Sequence, residues 1–195
     1  MDRLARCAIV FALAALAAGC ASPPSRFYTL SATAAPGASA SKLTVAVGPV
    51  SVPAAVDQPQ IVVSTGANQV TFDDFNRWAS PLQDNIARVV ADNLVALLGT
   101  PRVTLFPQTL SADVEYRVQI EVRNFESAPG KSASMDAVWN VRRTRDGKSE
   151  TGRTSVREAV PESGYDALAA AHSRAMARLS QDIADAVRAV DRAAP

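Results

Sequence analysis

This chain is poor in reactive side chains. It has two cysteines and one histidine in 195 residues. Cys7 and Cys20 both fall within the first twenty residues, so the body of the chain has no disulfide staple and no thiol nucleophile. The lone histidine, His172, sits on a helical apolar stripe, and a core role is expected for it. No HxxxH, CxxC or carboxylate cluster at ligand spacing is present, so no metal site is expected. No glycine-rich phosphate loop follows a strand, and no serine occupies a GxSxG elbow. Asp73-Asp74 is a paired acid, but beside a loop it reads as solvated charge. With no catalytic set, neither an enzyme nor a cofactor is expected. An excess of one charge is missing too. Lys and Arg number 20 against 19 Asp and Glu, a formal net charge of +1. Nothing in that balance points to nucleic acid. The longest apolar run, residues 8–18, is shorter than the roughly 20 residues a membrane span needs.

What is present begins at the N-terminus. Arg3 and Arg6 precede that apolar run, and Gly19-Cys20 follows it. This is the layout of a secretory signal peptide. The cysteine stands where a lipobox places the residue that is cleaved before and lipidated. Residues 1–19 are therefore expected to be a lipoprotein signal peptide, and Cys20 the lipid attachment site. An ordinary signal peptide with a chance cysteine is the alternative. Ala21 and Ser22 follow, with no aspartate to retain the protein in the inner membrane. The expected address is the outer membrane, lipid-anchored and facing the periplasm.

Residues 20–42 are rich in Ala, Ser, Pro and Gly and read as a lipidated N-terminus with a flexible tether. Phe27-Tyr28 is the exception in that stretch. The pair offers apolar area for docking on its own domain or on a partner. Residues 43–192 read as a single α+β periplasmic domain.

Leu43 to Val52 is a β-branched strand ending at Pro53. Ile61–Ser64 and Gln69–Phe72 form a hairpin. Ser80-Pro81-Leu82-Gln83 reads as a capping box opening a helix that ends at Gly99. Val103–Phe106 is a strand. Ala112–Phe125 alternates apolar and polar residues strictly, so one face is buried and one wet. Ser132–Arg143 and Thr151–Glu158 follow, joined at Asp146-Gly147, the last strand being a polar edge. A long helix covers about 164–190, its stripe running through Leu168, His172, Met176, Leu179 and Ile183. The order is β-β-β-α-β-β-β-β-α. It predicts an α+β fold, a mostly antiparallel sheet covered on one face by two amphipathic helices.

Arg77 and Trp78 stand just before the first helix. Trp78 reads either as a staple on that helix or, with Arg77, as an exposed contact for a partner. Asp57 and Gln60, in the turn after the first strand, are the other candidate contacts.

Several segments occur together in one order: Phe27-Tyr28-Thr29-Leu30, Val47 to Pro53, Asp57 to Val62, Arg77 to Leu82, Tyr116-Arg117-Val118 and Tyr165 to Leu168. In this the chain resembles the ABC-type transport auxiliary lipoproteins, the PqiC/YmbA-like family. It departs from the family pattern at Ala55, Val56 and Gln58. The resemblance implies a non-enzymatic docking subunit of an MCE/ABC-type system moving lipids between inner and outer membrane. It implies a periplasmic MCE-family protein as partner, and a homo-oligomer is a further possibility. A pilotin-like assembly factor or envelope scaffold is the alternative, since it needs the same anchor and equally little chemistry.

Overall fold

The computed structural model describes residues 23–37, 40–107 and 113–192. The signal segment and Cys20 lie outside the described residues. Among the described residues eight strands and two helices follow in the order β1 (Arg26–Tyr28), β2 (Val45–Ser51), β3 (Gln60–Gly66), β4 (Gln69–Trp78), α1 (Leu82–Leu98), β5 (Val103–Leu105), β6 (Tyr116–Ala128), β7 (Ser132–Arg143), β8 (Ser149–Ala159) and α2 (Tyr165–Arg192).

The α+β class expected from the sequence is what forms. The strands divide into two sheets, however, and both are mixed. A three-stranded sheet runs β1-β4-β3 and a five-stranded sheet runs β5-β2-β6-β7-β8. The long pairings, β3–β4, β6–β7 and β7–β8, are antiparallel. The short ones, β1–β4, β2–β5 and β2–β6, are parallel. Parallel neighbours need a long crossover, which is why the local alternation of β2 or β6 could not announce them.

Both helices pack on one face of the five-stranded sheet, α1 over β2 and β5, α2 over β6, β7 and β8, and they touch each other. The alternation in β6 decides which face that is. Tyr116, Val118, Ile120 and Val122 point at the helices and are 3% exposed or less. Arg117, Gln119, Glu121 and Arg123 take the other, open face. The α2 stripe answers with Leu168, His172, Met176, Leu179, Ile183 and Val187, all buried. All of these but Leu168 are completely inaccessible. Burial of this kind supplies the main stabilisation of the domain, at about 25 cal/mol per Å² of apolar surface. In the absence of any staple in the domain, this core is what holds the layers together.

The helix ends differ from expectation at one point. Gly99 closes α1 in the left-handed conformation, φ 61°, as its position predicts. At the other end Pro81 is the N-cap residue, and no side chain caps it. Ser80 Oγ is buried without a hydrogen-bond partner, so the capping box is not made.

The largest departure concerns residues 29–37. Their composition suggests a tether, yet they lie as an extended strap across both helices, held by side-chain amides and hydroxyls. Leu30 N–H donates to Asn85 Oδ1 at 3.3 Å, Ser31 N–H to Ser173 Oγ at 3.0 Å, and the N–H groups of Thr33 and Ala34 both donate to Asn93 Oδ1 at 3.0 Å. Asn93 in turn donates to Ser180 Oγ at 3.2 Å, which ties α1 to α2 beneath the strap. Gly37 N–H then donates to the carbonyl of Ala96 at 2.9 Å. Asn85 and Asn93 are completely buried, and their bonds to the strap satisfy both Oδ1 atoms, which would otherwise be costly to bury.

Candidate functional site

The three-stranded sheet carries the surface that stands out. Among the described residues the large exposed apolar side chains are Phe27, Val70, Phe72, Phe75 and Val95. Four of the five belong to β1 and β4, which are hydrogen-bonded neighbours. Phe27 is 64% exposed and Phe72 52%. Scattered single apolar residues are ordinary on a surface, but a cluster on one small sheet marks an interaction site.

Local sequence explains the cluster. Val70 and Phe72 alternate along β4 and share a face with their register partners Ser64 and Val62 on β3. An irregularity then breaks the ladder between Gln60 and Ile61, whose partners are Arg77 and Asp73. Residues 74–76 are the extra length on β4. Asp73 Oδ1 accepts from the N–H groups of Phe75 and Asn76 at 2.8 and 3.1 Å, which shapes this loop and turns Phe75 outward.

Asp73 also anchors the small sheet to α2. Its Oδ2 accepts from the Tyr165 hydroxyl at 2.9 Å, while Tyr28 donates to Asn76 Oδ1 at 2.8 Å and packs against Tyr165 at 5.9 Å. Partial burial works against ionisation of Asp73, but the Asn76 amide, the Phe75 N–H and the Tyr165 hydroxyl outweigh it and hold its pKa below the usual value. Burial and the Asp73 charge push the Tyr165 hydroxyl up to about 12. Tyr28 thus docks on its own domain, while Phe27 beside it is left in solvent. A groove of about 780 Å³ opens between this segment and α2, lined by Phe27, Tyr28, Ser31, Ala170 and Arg174 among others.

The residues singled out from sequence divide around this surface. Gln60 and Arg77 are register partners. Gln60 Nε2 donates to Asp74 Oδ1 at 3.3 Å and Arg77 Nε to the Asp74 carbonyl at 2.9 Å. Both therefore frame the loop that carries Phe75. Asp57 is exposed in the turn before β3. Trp78 is corrected from the contact set: it is 5% exposed and packs edge-on against Phe125, 6.2 Å between centroids. The parallel pairing of β1 with β4 and the turn into α1 fold its ring inward, where no partner can reach it. Cys20 lies outside the described residues.

The sequence reading missed Val70, Phe72 and Phe75. Val70 and Phe72 show the alternation of a half-buried strand, which suggests that they face the core. In the fold the buried positions of this hairpin, apart from Trp78, are Ile61 and Val63 of β3, at 1% and 5% exposure.

One buried pair has the elements of a nucleophile and its base. Ser127 Oγ and His172 Nε2 share a hydrogen bond at 2.8 Å. A working pair needs access to substrate and a third group orienting the base. Here both residues are buried, and Nδ1 of His172 has no partner. Desolvation lowers the His172 pKa to about 3, which keeps the ring neutral. The pair is a polar contact within the core. Among the described residues no group of three or more His, Cys, Asp or Glu side chains could hold a metal ion. No helix among them is long and apolar enough to cross a membrane.

The model of one family, described as the ABC-type transport auxiliary lipoprotein component, matches residues 28–184. The chain belongs to this family. The match takes in the strap, both sheets and most of α2. Similar solved structures agree in fold. An uncharacterized protein is 20% identical, with a TM-score of 0.69 over 85% of this chain and 99% of that one. A Xanthomonas campestris protein of family DUF330 is 16% identical, with a TM-score of 0.71 over 86% and 97%. The PelC dodecamer from Paraburkholderia phytofirmans reaches a TM-score of only 0.41 at 16% identity, over 78% of this chain and 93% of that one. No curated protein matches.

Proposed function

We propose that this member of the ABC-type transport auxiliary lipoproteins is a non-enzymatic docking subunit. It is anchored in the outer membrane through a lipid on Cys20 after removal of residues 1–19. From there it holds a periplasmic MCE-family protein of a system moving lipids between the two membranes. The observation that carries the reading is the exposed apolar cluster of Phe27, Val70, Phe72 and Phe75 on a domain of the transport-auxiliary family. Such a cluster suits protein contact better than it suits catalysis. Asp57, Gln60 and Arg77 supply polar groups at its margin.

The position of the anchor supports the same surface. Five residues lie between Cys20 and Arg26, a reach of about 20 Å when fully extended. Because the strap binds residues 29–37 to the helices, slack beyond β1 adds nothing to that reach. The small sheet is then the membrane-near end of the domain, where the outer end of a conduit would arrive.

Crosslinking in intact membranes, followed by purification through the tagged lipoprotein, tests the reading. Recovery of the MCE-family protein is the expected result, with loss of recovery for Phe72→Asp. Failure to recover it from membranes that contain both proteins would sink the proposal. Cys20→Ala tests the anchor separately: the domain should stay folded and leave the outer-membrane fraction.

A further inference from the structure

Arg117 of β6 and Arg142 of β7 are direct register partners on the open face of the five-stranded sheet. Side chains so paired have Cβ atoms about 5 Å apart, and like charges there repel. Two other arginines of this face are neutralised: Arg153 pairs with Asp136 at 2.7 Å and Arg123 with Glu121 at 3.2 Å. Neither Arg117 nor Arg142 takes part in any ion pair among the described residues. Arg117 lies over the Phe106 ring, 4.3 Å from its centroid. Its Nε is shielded from solvent and has no hydrogen-bond partner. Arg142 rests against the β7–β8 turn, where a Cβ on Gly147 would come 3.3 Å from its Nη2.

Together with Gln119 and Thr144 the two arginines line a depression of about 230 Å³. A water occupies about 30 Å³ in the liquid, so the space takes a small polyatomic ion. The Thr144 hydroxyl already donates to the Val114 carbonyl at 2.6 Å. The free donors are therefore the two guanidinium groups and the Gln119 amide. A carboxylate offers only two oxygens on one edge, whereas a phosphate group presents further oxygens around a tetrahedron and so suits two forks and an amide arriving from different sides.

We propose that Arg117 and Arg142 form a binding site for a phosphate group, whether on a lipid headgroup or free in solution. The site is separate from the apolar cluster of the small sheet. It stands or falls without the docking role, because its test needs no partner protein.

The test uses the full chain in detergent at fixed ionic strength. Calorimetry measures binding of inorganic phosphate, of phosphatidylglycerol in nanodiscs, and of succinate as the carboxylate control. Arg117→Gln and Arg142→Gln should each weaken phosphate-group binding about tenfold or more, as expected for losing a charge-assisted donor pair. Arg157→Gln, on the same face, should leave it unchanged. Without ligand, Arg142→Gln should melt no lower than the parent chain, since it relieves a like-charge pair. Binding of the lipid alone assigns a headgroup site, and binding of inorganic phosphate alone assigns a soluble anion. No binding of either, equal binding by the arginine variants, or tighter binding of succinate would overturn the proposal, the last pointing instead to an acidic protein segment.

Discussion

His172 lies flat on Phe125, their ring centroids 3.8 Å apart and their planes within 10° of parallel. Phe125 in turn meets Trp78 edge-on, so a histidine of α2, a phenylalanine of β6 and a tryptophan of β4 form one row of ring contacts through the core, stacked at one step and edge-to-face at the other. This row joins the five-stranded sheet to the small sheet that carries the exposed cluster.

The stack makes stability depend on pH. The His172 pKa is about 3 in the fold against an ordinary value of 6.5, so between these values the unfolded chain binds the extra proton. Stability should therefore be full above about pH 6.5 and fall as pH drops toward 3, with a slope approaching 1.4 kcal/mol per unit. Asp146, whose pKa the Arg143 guanidinium holds at about 2, acts only below its ordinary value of 3.8. Denaturant melts at pH 7 and pH 5 should separate the two. An equal midpoint at both values would show that His172 is not buried as a neutral ring.

Asn93 is the principal clasp of the strap. Asn93→Ala removes the acceptor for Thr33 and Ala34 and leaves Ser180 without its donor. A loss of about 1–3 kcal/mol is expected, together with faster amide exchange at residues 30–37. Hydrogen exchange resolved by residue distinguishes strap release from general destabilisation.

Gly152 on β8 is the register partner of Trp139 on β7. The indole covers the glycine so closely that an added Cβ would sit well inside van der Waals contact with the ring. The same indole N–H donates to Thr154 Oγ1 at 3.0 Å, and Thr154 donates to Asp182 of α2 at 2.7 Å. Gly152→Ala should cost about 1–3 kcal/mol by displacing the ring. Thermal melting checks this, and Trp139 fluorescence should shift with it.

Phe72 and Trp78 sit on the same strand and should respond oppositely. Trp78→Ala opens the core and should cost about 3–5 kcal/mol. Phe72→Ala removes an exposed ring and should change stability by about 0.5 kcal/mol or less while weakening partner capture. Comparing melting midpoints with recovery of the partner on one pair of variants tests the docking surface directly.

Much of the domain is legible along the chain because periodicity is a local signal. The strict alternation from Tyr116 to Val122, the stripe of α2 and the glycine after α1 each name their own structure, and together they imply two helices on a sheet. The polar members of the helix stripes, Asn85, Asn93, Ser173 and Ser180, are equally visible. Their purpose is not, because Asn85, Asn93 and Ser173 accept from backbone N–H groups of residues 29–37, which have almost no apolar pattern, and Ser180 supports Asn93 from beneath. Only tertiary structure decides that this Ala-, Ser- and Pro-rich stretch is a strap, that β1 pairs in parallel with β4, and that Trp78 turns inward while Phe72 stays out. The same holds for Arg117 and Arg142, two unremarkable charges until strand register sets them face to face. By itself the sequence determines which face of each element is apolar. Which distant backbone or side chain meets that face depends on long-range pairing, whose hydrogen bonds join groups that sequence spacing keeps far apart.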